Sequence, residues 1–135
     1  ILGGGLSYFT AVRMKRLEAK QESIKAQIEI RRQLYAKFLS EANDLAIKTI
    51  EKSNPRPFLA SEISKHLAEI ELISNESIFK KAKEIANYLL EMDSQTSDQK
   101  TKFLPELRTE FITLAREEFK EIEMQHHTYE LSRSQ

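Results

Sequence analysis

Between Ile24 and Thr49, positions 24, 28, 31, 35, 38, 42, 45 and 49 recur by alternating steps of four and three, occupied by Ile, Ile, Arg, Tyr, Phe, Ala, Leu and Thr. Such steps return to one side of an α-helix and scatter over both faces of a strand. Ile30, Leu34, Leu39, Ala46 and Ile50 widen the apolar side. A face that broad has to be covered by other helices. The spacing therefore predicts one long helix from Leu6 to about Lys52, ended by Pro55, which disfavours helical geometry in the residue before it.

The rest of the chain offers three covering segments. The first runs from Phe58 or Ser61 to Ile73, with Leu59, Ile63, Leu67 and Ile70 as its stripe and His66 at the border. Ser74 and Asn75 are capping residues that open the next helix, Glu76 to Met92. There Ile78, Ala82, Ile85, Leu89 and Met92 form the face, extended by Phe79, Ala86 and Leu90. Residues 93–102 hold no apolar side chain and read as a loop. A last helix starts near Phe103, with Pro105 tolerated in its first turn. Leu107, Phe111, Leu114, Ala115, Phe119 and Ile122 give its core side, and the pattern fades after Met124. The predicted fold is all-α: an antiparallel four-helix bundle with a long, protruding N-terminal helix.

Residues 1–12 carry no charge, and Arg13, Lys15 and Arg16 follow at once. Uncharged residues ending at a basic cluster are the pattern of the cytoplasmic end of a membrane-spanning helix. As a helix, residues 1–12 would cover roughly 18 Å of the ~30 Å hydrocarbon layer. The start at Ile1 fits a fragment or processed product, so the expected reading is the tail of a span that begins upstream. Gly3, Ser7 and Ala11 are small residues at a spacing that allows close helix contact in lipid. A flexible N-terminal arm is the alternative. The expected organisation is 1–12 as that end, 13–33 as a basic helical stalk, 34–125 as the bundle and 126–135 as a flexible tail.

The 135 residues suffice for one domain with a real core. Lys and Arg (21) balance Asp and Glu (21), so no overall field points to nucleic acid. The distribution is uneven: residues 13–37 hold eight basic and three acidic side chains, residues 103–135 four and seven. Arg13, Lys15, Arg16 and Lys20, with Lys25 beyond them, are candidates for contact with anionic lipid head groups, a field that Glu18 and Glu22 weaken. With no cysteine, disulfides, thiol catalysis and thiolate metal sites are excluded.

An uncharged segment, a basic segment and RRQLYAKFL at 31–39 come in that order. HLAEIELISNESIFKKAKEI at 66–85 and LRTEFITLAREEF at 107–119 follow. Together they resemble a widespread group of uncharacterised bacterial proteins, each with a single membrane anchor and a small cytoplasmic helical domain. The resemblance covers most of the chain but rests on amphipathic patterns. It implies a bacterial or phage source and an inner-membrane location with the domain on the cytoplasmic side. It transfers no activity.

Glu62, His66 and Glu69 share one helical face and have metal-ligand chemistry. A di-iron bundle needs Glu-x-x-His on two helices, and only Glu123–His126 matches. The expectation is therefore an exposed Glu–His–Glu ladder with no metal and no cofactor. His126 and His127 are adjacent and point apart on a helix. No serine sits in a nucleophile elbow, so catalytic residues are not expected and the chain is read as a non-enzyme. Arg31 interrupts the stripe: buried, it needs a carboxylate partner, while the reading preferred here lays its stem along the core edge with its head in water.

These readings converge on a membrane-tethered helical interaction or scaffold module, binding a protein partner or a second copy of itself. The expected contact surface is Leu17, Ile24, Ile28, Arg31 and Leu34. Two heptad positions recur through it, one broken by Arg31 and the other by Gln21, which is weak support for a coiled coil. A sensory or regulatory bundle holding a small ligand between its helices is the alternative.

Overall fold

In the computed structural model, residues 2–51, 56–91 and 104–134 are described. All four elements among them are helices: α1 (Leu2–Glu51), α2 (Arg56–Ile73), α3 (Glu76–Leu90) and α4 (Leu104–Ser134). No strand occurs among the described residues. The chain is an all-α helical bundle, as its periodicity predicts. The turn around Pro55 and the loop 93–102 lie outside the described residues.

The chain divides into two compact units, Arg31–Glu118 and residues 1–30 with 119–135. In the first, the stripe of α1 supplies Leu34, Tyr35, Phe38, Ala42, Leu45 and Ala46 to the core. Ile63 and Ile70 come from α2, Ile78, Ala82, Ile85, Ala86 and Leu89 from α3, and Phe111 and Ala115 from α4. Each fully buried Leu, Ile or Phe contributes about 1.5–3 kcal/mol relative to exposure. The Phe111 ring meets Tyr35 edge-on at 5.4 Å and Phe38 at 5.8 Å, an arrangement that favours aromatic contact. Between α2 and α3 the chain turns within Ser74–Asn75. Asn75 has extended backbone (φ −69°, ψ 164°), and its side chain accepts from the Ile78 N–H at 3.0 Å. This is the predicted cap, satisfying a donor that the first turn of α3 leaves open.

The second unit contains the N-terminal part of α1 and the end of α4. Here α4 stays helical to Ser134, where a flexible tail was expected after residue 125. Ile28 is buried in the chain, and Leu17 and Ile24 are half-buried.

Three details depart from the expected faces. Ile30 is 60% exposed and does not widen the stripe. Leu90, in the last residue of α3, is also exposed. His66, expected at a border, is buried. Among the described residues no helix is long and apolar enough to cross a membrane.

Candidate functional site

The polar centre of the compact unit is Glu118, a carboxylate on the apolar side of α4. It follows Phe111 and Ala115 at helical spacing, so the backbone delivers it to the core with them. Its side chain is 5% exposed. An ionised carboxylate in such a place needs donors, and two segments provide them, α1 through Tyr35 and Arg31 and the turn between α2 and α3 through Asn75. The Tyr35 hydroxyl donates to Oε1 at 2.5 Å, and the Asn75 backbone N–H donates to Oε2 at 3.0 Å. The Arg31 Nε lies 3.4 Å from Oε1 as the ion-pair partner.

Tyr35 has one hydroxyl proton, and Glu118 accepts it. The 2.5 Å contact between Tyr35 and Ser74 therefore has the Ser74 hydroxyl as donor. Burial, above all, pushes the Tyr35 hydroxyl well above the ordinary phenol range, and accepting Glu118 reinforces the shift. Arg31 also donates from Nη2 to the Ile73 carbonyl at 2.7 Å, satisfying an acceptor at the C-terminus of α2. Its head is thus engaged by Glu118 and Ile73. This corrects the expectation of a guanidinium reaching into water, and the reason is the carboxylate that α4 brings to the core.

A second polar group joins α1 to α2. His66 Nδ1 and Glu41 Oε2 are 2.5 Å apart, with side chains 9% and 21% exposed. Glu62, one turn before His66, is half-buried. One ligand atom from each of Glu41, Glu62 and His66 lies within 4.8 Å of the others. Glu69, the third member of the expected ladder, is outside this group, and α1 supplies Glu41 instead. On the outer surface, Lys81 donates to Glu84 at 3.0 Å and to Glu110 at 2.7 Å. Those hydrogen bonds, Glu110 first, raise the Lys81 ammonium above its usual range.

A cavity of about 390 Å³ opens on the same unit, bordered by Leu39, Ala42, Ile85 and Ile112, with Asn43 and Arg108 among its polar groups.

No family model, curated protein or solved structure matches the chain.

The residues expected to form the contact surface separate in the structure. Leu17 and Ile24 are half-buried, Ile28 and Leu34 are buried, and Arg31 is tied into the Glu118 group. Leu17, Ile24 and Ile28 fall in one unit, Arg31 and Leu34 in the other. Arg13, Lys15, Arg16 and Lys25 are exposed, while Lys20 is half-buried. Sequence reasoning passed over Glu118, although its spacing from Phe111 and Ala115 was the available signal. It also passed over Glu41, which only the approach of α2 to α1 makes relevant.

Proposed function

We propose that this chain is a membrane-tethered helical interaction module, without catalytic chemistry, that holds a partner protein or a second copy of itself at the cytoplasmic face of a bacterial inner membrane. The supporting observation is the composition of α1 along its length. Tyr8 and Phe9 are exposed and packed edge to face, their centroids 6.4 Å apart. Exposed Arg13, Lys15 and Arg16 follow in the same unbroken helix. Aromatic and uncharged residues suit the apolar side of a membrane interface, and basic residues suit anionic head groups. Beyond Arg31 the same helix turns to core building. One element thus combines attachment chemistry with the frame of a helical domain, and exposed Met14 and Ile30 leave apolar positions for a partner. The resemblance to bacterial anchored helical proteins belongs to this same proposal.

Flotation with vesicles tests the attachment. Binding is expected to vesicles containing anionic lipid. Replacing Arg13, Lys15 and Arg16 by Glu is expected to weaken it about a hundredfold, on the order of 1 kcal/mol per basic residue at the surface. Equal binding by the charge-reversed chain contradicts the proposal.

The cavity supports a second reading, a regulatory bundle that takes a small ligand. Its size falls in the range of small-molecule sites, roughly 300–1,000 Å³. Apolar walls with Arg108 suit a short fatty acid. On this reading octanoate raises the melting temperature of the wild type and not that of Arg108→Ala.

A further inference from the structure

We propose that Glu41, Glu62 and His66 form a binding site for a divalent first-row transition ion, of which Zn2+ fits best. Glu62 and His66 stand four residues apart on α2 and so share a face. Glu41 reaches the same place from α1. The three side chains offer one imidazole nitrogen and two carboxylate oxygens, all within 4.8 Å of one another. Bonds of about 2.0–2.2 Å at tetrahedral angles place neighbouring ligand atoms about 3.4 Å apart. Side-chain rotation alone can bring a group of this size to that distance, with no movement of either helix.

Burial and donor type narrow the ligand. His66 is 7% exposed, so its ring is already held against the α1 side of the site and needs little further ordering. Glu41 and Glu62 remain partly open to solvent, which gives an ion a way in. Mixed imidazole and carboxylate donors suit Zn2+, Mn2+ or Fe2+, whereas Ca2+ and Mg2+ prefer an all-oxygen shell. Three protein ligands leave a position for water, the pattern of an open zinc site. Without an ion, His66 Nδ1 and Glu41 Oε2 are in hydrogen-bond contact at 2.5 Å. Zn2+ takes the lone pair of His66 Nδ1 in the tautomer that carries its proton on Nε2, together with an oxygen of the Glu41 carboxylate. The ion then ties α1 to α2 and stabilises the fold by mass action. This site is separate from the attachment proposed for the start of α1, and either can fail alone.

The test is calorimetric titration of the whole chain with ZnCl2 in a non-coordinating buffer, with imidazole NMR signals followed alongside. One ion per chain is expected, with the His66 resonances moving first. Mg2+ and Ca2+ at the same concentrations are expected to leave those resonances in place. Glu62→Gln takes away one charged ligand while leaving His66 and Glu41 in the sequence, and is expected to weaken Zn2+ at least about tenfold. Replacing His126 and His127 by Ala is expected to change nothing, because adjacent helical positions diverge. The proposal is overturned by absence of binding below millimolar Zn2+, by Glu62→Gln binding like the wild type, or by loss of binding when only the His126–His127 pair is removed. The wild-type NMR assignment decides the matter even if Glu62→Gln fails to fold.

Discussion

Two charged groups join α4 to other parts of the bundle, and they differ chiefly in their access to water. Glu118 is enclosed and held by Arg31, Tyr35 and the Asn75 N–H. Lys81 bridges Glu84 and Glu110, two carboxylates whose side chains are more than half exposed. In the first group, water cannot replace a lost partner, so removing one leaves a buried charge behind. In the second, solvent takes the partner's place at little cost. Similar distances therefore stand for very different energies, and burial decides which contacts fix the helices.

Breaking the enclosed group should have the largest effect. Glu118→Ala removes the ion-pair partner of Arg31, whose Nη2 keeps the Ile73 carbonyl, and the acceptor of the Tyr35 hydroxyl and the Asn75 N–H. It should cost about 3–5 kcal/mol of unfolding free energy in urea. The double variant Glu118→Leu, Arg31→Met should recover most of that loss, because a well-packed apolar pair can match a buried ion pair. A double variant as unstable as Glu118→Ala would mean that the carboxylate does more than neutralise Arg31.

A smaller effect is expected from Tyr35→Phe, which keeps the ring against Phe111 but removes the hydroxyl between Ser74 and Glu118. The expected loss is about 1–3 kcal/mol. The same variant sharpens the comparison through pH. In the unfolded chain Tyr35 returns to an ordinary value near 10, below its folded value. The unfolded state therefore loses this proton first, and stability falls as pH rises above about 10. Below that, both states keep the proton and Tyr35 contributes no slope. Tyr35→Phe should flatten the alkaline decline measured by urea unfolding at a series of pH values. Lys81, also raised, leaves a residual decline of the same sign.

Lys81→Met should cost least, about 0–1 kcal/mol, and the difference should shrink further in high salt. A loss as large as that of Glu118→Ala would erase the distinction between the two groups.

The contrast also explains what could be read from the chain alone. The stripe from Ile28 to Ala46 was legible because apolar burial imposes a spacing, and Asn75 because a cap has a local sequence sign. Glu118 obeys the same spacing as Phe111 and Ala115, but its polarity hides it: a carboxylate in a helical pattern reads as solvent-facing until a donor set appears. Arg31 was misread for the same reason, since its partner lies far along the chain. His66 was visible with Glu62, yet the member that completes the group, Glu41, depends on how α1 meets α2. The helical end of α4, up to Ser134, has few apolar residues to announce it. Ile30 and Leu90 show the opposite error, where an apolar residue near a stripe is taken as covered and is not.

Because the chain contains no tryptophan, Tyr8→Trp would place a single fluorescent reporter in the uncharged start of α1. Vesicles containing anionic lipid and brominated acyl chains would then report directly on whether that segment enters the apolar layer. The proposed attachment predicts a blue-shifted emission that the bromine quenches. Emission that keeps its water-exposed maximum and intensity in the presence of the vesicles would contradict it.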